Sequence, residues 1–334
     1  MSQVRTLLKD INPEEMGFTL SHEHLLCSPP HWIWKKEEDL LLDDPEKTLA
    51  DMKDYERLGG CSIVDATAVD YGREVAAVAE LSKKSGVHII GTAGFNKGFL
   101  WEAPLDKRRQ DLIGGYPNFH EWIEKSTVDQ LTDFVRLEIE YGMEGTGYKA
   151  GQVKFGTGYQ SISPLEVKTI EVAAAVHFST GAPIHSHTEA GTMALDQIRI
   201  LKTLGVPLSV VSFGHMDRNL DLWYHRKIAD TGAYLCFDGI GKIKYHTESQ
   251  LIHHILDLVS DGFEKQILIS GDMARKSYYR HYGYGPGLGY VFESFKDQFL
   301  ELADRRKMNG QALFHTFFYD NPQKCMEFKK QKSG

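Results

Sequence analysis

Eight short apolar or β-branched runs, each bounded by Gly, Pro or polar turns, recur along the chain at roughly 19–25, 62–67, 88–93, 152–157, 183–187, 208–215, 234–237 and 266–270. Runs of this length and composition predict strands. Between most of them the apolar positions recur at helical spacing, over 45–58, 73–84, 128–141, 164–178, 193–204 and 250–260. Strand and helix alternating eight times predict a parallel barrel wrapped in helices, the (β/α)8 or TIM barrel of the α/β class. A doubly wound open sheet alternates in the same way, but it carries a Gly-rich turn after its first strand, and none stands there. The long insert 94–127 is expected over the mouth of the barrel. The Gly-rich stretch 283–289 reads as a loop, and 312–318, followed by Asp320-Asn321-Pro322, as a last helix at the base.

No low-complexity linker divides the 334 residues, so 1–334 is read as one barrel domain. A composition of 42% hydrophobic and 25% charged residues is that of an ordinary globular protein. The net charge of -8 and the lack of a long basic stretch argue against a nucleic-acid partner. Cys27, Cys61, Cys236 and Cys325 are scattered without a CxxC pair, as expected of reduced thiols. The N-terminal residues form no apolar signal-like stretch, and no apolar run reaches the ~18 residues of a membrane span. A cytoplasmic location away from membranes is expected.

In a barrel of this kind the reacting groups sit at the C-terminal ends of the strands. His22 and His24 lie one residue apart on the first strand, Lys154 on the fourth, His185 and His187 on the fifth, His215 on the sixth and Asp272 after the eighth. On an extended strand His22 and His24 emerge on the same face, close enough to grip one metal ion.

The segments Gly17-Phe18-Thr19-Leu20-Ser21-His22-Glu23-His24, Val153-Lys154, Ser186-His187-Thr188, Phe213-Gly214-His215 and Ser270-Gly271-Asp272 together resemble the phosphotriesterase family of the amidohydrolase superfamily. The resemblance spans essentially the whole chain. It implies a centre of two divalent ions, with His22, His24 and Asp272 on one and His187 and His215 on the other. Lys154 would bridge them. An ammonium has no lone pair and is repelled by cations, so a bridging lysine must first be carboxylated by carbon dioxide. The ligand set suits zinc and accepts manganese, cobalt or iron. His185 fits a supporting role better than a ligand role, and Arg73, in Asp70-Tyr71-Gly72-Arg73, fits a buried ion pair.

Such a centre hydrolyses by a metal-bridging hydroxide, with Asp272 as catalytic proton acceptor. The loops after the strands supply an anion-binding set, the cations Lys244, Arg275 and Lys97 and the hydroxyl donor Tyr278, suited to a compact anionic substrate. Within the family this resembles lactonases of phosphorylated sugar 1,4-lactones more than those of apolar acyl-homoserine lactones. The other readings are a phosphotriesterase, phosphodiesterase or other carboxylic ester hydrolase, and a metal-dependent sensor barrel without turnover. Retention of Asp272 argues against the sensor. Family members are often dimers, so the resemblance implies a homodimer.

Overall fold

The computed structural model describes residues 3–32 and 36–329. A two-stranded antiparallel hairpin, β1 (Val4–Arg5) and β2 (Asp10–Ile11), precedes eight parallel strands. These are β3 (Thr19–Glu23), β4 (Ser62–Asp65), β5 (His88–Gly94), β6 (Ala150–Thr157), β7 (Ile184–Thr188), β8 (Val211–Phe213), β9 (Tyr234–Phe237) and β10 (Ile267–Ile269). They pair in chain order from β3 to β10. The remaining seam is bridged beyond the strand ends, where the Asp272 N–H donates to the His22 carbonyl at 3.0 Å and the His22 N–H to Ser270 Oγ at 2.8 Å. The expected (β/α)8 barrel is the observed one.

Strand parity explains how the barrel holds both a core and a site. Val64, Ile90, Cys236 and Leu268 cluster at one end with Val4 and Ile11 of the hairpin and Cys325 and Met326 of the last helix, which plug the base. Residues of the same parity further along each strand turn polar: Thr92, Gln152, Lys154, His185, Ser212, Asp238 and Ser270, all buried. They pair with one another, as in Gln152 Nε2–H to Thr92 Oγ1 at 2.7 Å. Burial without partners would cost far more than these bonds return. The opposite parity, including Ile63, Ile89, Val153, Phe213, Leu235 and Ile269, joins the main core.

The outer helices begin where the sequence supplies caps. Helix Pro164–Thr180 starts with a reciprocal capping box, in which Ser163 Oγ accepts from the Glu166 N–H and Glu166 Oε2 from the Ser163 N–H. It stops at Gly181, whose φ of +79° ends the helix without strain. Glu166 Oε1 also accepts from the Gly98 N–H at 3.0 Å, tying the insert to this helix.

Two sequence expectations need correction. The sixth strand was expected over 208–215, but Pro207 and a 3-10 turn at Leu208–Val210 shorten it to Val211–Phe213, and His215 lies beyond it with φ +63°. The last helix is broken into Gly310–His315 and Asn321–Met326 by a π turn, Thr316–Asp320. It does reach the base, where Asn321 Nδ2 donates to the carbonyls of Glu264 and Ile267. A helix at Leu222–Ala229, capped by Asp221, had no counterpart in the periodicity. Among the described residues no helix is long and apolar enough to cross a membrane.

Candidate metal centre

Four histidines at the strand ends are buried, and each has one ring nitrogen committed outward. His215 Nδ1 lies 2.8 Å from Asp238 Oδ1, and His187 Nε2 2.9 Å from Glu189 Oε2. His22 Nδ1 lies 3.1 Å from Asp238 Oδ2 and 3.0 Å from His185 Nε2. His24 Nδ1 lies 2.7 Å from Thr67 Oγ1, whose own proton goes to Asp65. A carboxylate only accepts, and a hydroxyl that has donated its proton accepts too, so each outer nitrogen carries the hydrogen. The tautomers follow from these partners. Each inner nitrogen is left as a bare lone pair.

Those lone pairs face one another. His22 Nε2 is buried with no partner. It stands 3.8 Å from Asp272 Oδ1, with His24 Nε2 3.6 Å from the same oxygen. His187 Nδ1 and His215 Nε2 are 2.8 Å apart. Two acceptors at that distance repel unless a cation lies with them, so the donor set fits metal ions and does not fit itself. Ligand atoms of His22, His24 and Asp272 all lie within 4.8 Å of one another, as do those of His215, Asp238 and Asp272.

Protonation agrees with this. Burial pushes His24 and His187 well below the usual imidazole range and His215 down to about 3, so all three are neutral near pH 7. Burial alone would raise Asp272, but the Lys242 and Arg218 cations override it and hold the carboxyl well below the carboxylate range. Lys154 is lowered to about 8, by burial against the pull of Asp272, Asp70 and Asp238, and its Nζ donates to the Ala66 carbonyl at 2.8 Å. Beside it Gly94 has φ +88°, and a Cβ there would run into the Lys154 carbonyl.

Residues 2–326 match the family described as the Phosphotriesterase family. The chain belongs to that family. It is 31% identical to the phospho-furanose lactonase of Mycoplasmopsis synoviae, over 98% of this chain and 93% of that one. Among solved structures, a lactonase from Listeria monocytogenes is 56% identical and superposes with a TM-score of 0.97, covering 98% of this chain and 100% of the other. The phosphotriesterase homology protein of Escherichia coli, complexed with phosphate in its active site, is 29% identical with a TM-score of 0.82, over 93% and 99%.

In this phosphotriesterase-family chain the centre opens into a cavity of about 200 Å³ whose walls include all four of the residues read as substrate contacts, Lys97, Lys244, Arg275 and Tyr278. All four have other ties, the Tyr278 ring lying under Lys242 Nζ at 4.7 Å from its centroid. Lys97 pairs with Glu189, the carboxylate that also orients His187. Half-buried Arg275 reaches Glu37 at 3.1 Å and Asp39 at 3.5 Å. Exposed Lys244 stacks on Tyr245. The cations nearest the centre were missed. Arg218 donates to Asp272 Oδ2 at 2.7 Å, and Lys242 reaches the same oxygen at 2.9 Å and the Asp272 carbonyl at 2.5 Å. Asp238, which orients two histidines, was missed as well. Its signal was parity, two positions past Cys236 on the inward face of β9. His185 and Arg73 are where they were expected. His185 bonds Ser212 Oγ and the His22 ring, and Arg73 pairs in the interior with Glu138 and Glu144.

Proposed function

We propose that this chain is a binuclear metal-dependent hydrolase that opens phosphorylated sugar 1,4-lactones, with His22, His24 and Asp272 on one divalent ion, His187 and His215 on the other, and carboxylated Lys154 between them. The observation that carries the reading is the inward-facing set of bare imidazole lone pairs. A lysine lowered to about 8 supports carboxylation, since only the neutral amine attacks carbon dioxide. Zinc suits the nitrogen-rich set best. Ions held there supply acidified water and Lewis acidity for a carbonyl.

The protein's own groups supply the rest. Arg218 and Lys242 hold Oδ2 of Asp272, so Oδ1 is the oxygen turned toward His22 and His24. Oδ1 takes the proton of the attacking water and returns it to the ring oxygen as the acyl C–O bond breaks, giving the hydroxy acid. Lys244, Arg275 and Tyr278, lining the same cavity, hold the phosphate. The names of the Mycoplasmopsis and Listeria relatives, and the phosphate in the Escherichia coli structure, support a phosphorylated lactone. The free thiols fit a cytoplasmic enzyme, and a homodimer rests on the family resemblance.

The test is a panel of pentono-1,4-lactone 5-phosphates assayed beside their unphosphorylated forms. Equal kcat/KM on both would refute the anion clamp. Arg275→Met should raise KM for the phosphorylated substrates about 10- to 150-fold, the worth of a charged hydrogen bond, and leave the neutral ones unchanged.

A further inference from the structure

We infer that Glu23, the residue between His22 and His24, is a positioning residue that locks the three ligands of one ion into a single unit. The inference rests on the reading that His22, His24 and Asp272 share an ion. Alternation along β3 turns Glu23 away from its neighbours, and its side chain lies fully buried at the seam between β3 and β10. Its carboxylate is filled entirely by the turn that carries Asp272. Oε1 accepts from Ser270 Oγ at 2.7 Å and from the Gly271 N–H at 2.7 Å, and Oε2 accepts from the Met273 N–H at 2.8 Å.

These donors bracket Asp272 on both sides in sequence. Asp272 itself sits at φ +44°, a left-handed backbone that a non-glycine residue rarely keeps without external restraint. Its N–H returns to the His22 carbonyl, and Ser270 Oγ both accepts from the His22 N–H and donates to Glu23. The bonds therefore run from Asp272 to His22, from His22 to Ser270 and from Ser270 to Glu23, and the circuit closes through the Gly271 and Met273 N–H groups that flank Asp272 and donate to Glu23. A barrel seam needs only strand pairing to close. A carboxylate seated in a nest of N–H groups around one ligand does more, because it fixes where that ligand points.

The variant that tests this is Glu23→Gln, which keeps volume and one acceptor but sets an NH2 against a backbone N–H. Metal-free wild-type and variant proteins are titrated with zinc against a chromophoric chelator, and bound ions per chain are counted. The expected result is two ions in the wild type, with one of the two weakened about 10- to 100-fold in the variant and the other unchanged. At saturating zinc kcat should fall by about tenfold or more at constant KM. Ser270→Ala, which removes one of the three donors to Glu23 together with the acceptor of the His22 N–H, should show the same selective loss for one ion and decides the matter if Glu23→Gln does not fold. A variant that melts lower yet binds both ions as the wild type does, with unaltered kcat, overturns the inference and leaves Glu23 a seam residue. Wild-type protein that takes up no zinc overturns the ligand assignment beneath it.

Discussion

Stripping the metals and restoring them as a function of pH isolates Lys154. Burial lowers its pKa from 10.5 to about 8, against the attraction of Asp272, Asp70 and Asp238. That shift disfavours the ammonium by about 3 kcal/mol. At pH 7 the neutral amine is then about one molecule in eleven, where an unshifted lysine would offer about one in 3,000. Carboxylation needs that amine. With dissolved carbon dioxide and zinc held fixed, the initial rate of activity recovery should rise nearly tenfold from pH 6 to 7 and level off above 8, about 90-fold in all by pH 9. His24, His187 and His215 do not contribute to this window, since burial keeps them neutral throughout it. A rate still climbing tenfold per unit between pH 9 and 10 would refute the lowered pKa. Recovery indifferent to carbon dioxide would refute the carbamate, and Lys154→Met should never recover.

The same shift fixes a sign for stability. The folded metal-free protein releases the Lys154 proton near 8 and the unfolded chain near 10.5, so between those values the unfolded state binds more protons. Stability of the metal-free protein therefore rises across that interval and carries the full burial penalty below 8. Denaturant unfolding at pH 7.5 and 9.5 checks this, and Lys154→Met should remove the Lys154 contribution to the difference.

Two further outcomes follow from the ties around the centre. Asp238→Asn faces an amide hydrogen toward His22 or His215, both of which now donate to the carboxylate, and should weaken zinc about 10- to 100-fold in chelator competition. Unchanged affinity would mean that Asp238 does not set the tautomers. Arg73→Met strands Glu138 in the interior and should lose about 3–5 kcal/mol in denaturant unfolding, while kcat of the folded protein stays at the wild-type value.

The cluster of polar residues at the mouth was legible because strand ends and strand parity are local properties. That His22, His24, Lys154, His185, His187 and Asp272 gather at one mouth needed only the position of each strand, whereas the choice of His187 over His185 needed the family resemblance at Ser186-His187-Thr188. His215 was legible as a residue but not in its conformation, since its strand stops at Phe213 and a bond from its own N–H to Asp238 holds it in a left-handed turn. The mouth was read less well. Charges in loops were easy to see, but their partners come from distant segments: Glu37 and Asp39 for Arg275, Glu189 for Lys97. Arg218 sits on a turn whose course His215 sets, and no periodicity marks it. Lys242 lies two residues from Lys244 in the same loop, and only the folded loop shows that it turns inward onto Asp272 while Lys244 stays exposed.

What the sequence cannot state is where the protons are, and the chemistry depends on that. A histidine is a ligand only at the nitrogen without the hydrogen, and here an outward partner makes that choice for each ring. For His215 the partner is Asp238, just past the adjoining strand β9, and for His24 it is Thr67, just past the adjoining β4. His22 reaches across the barrel to Asp238 and His185. The inward lone pairs of His215, His24 and His22 are therefore a product of strand register, whereas His187 takes its partner, Glu189, from its own segment. Sliding one strand by a single residue would reverse its parity, withdraw the outward acceptor and leave a ring free to present its hydrogen to the ion. Barrel closure and metal affinity are in this sense one property, and the bonds that Glu23 makes across the seam are where the two meet.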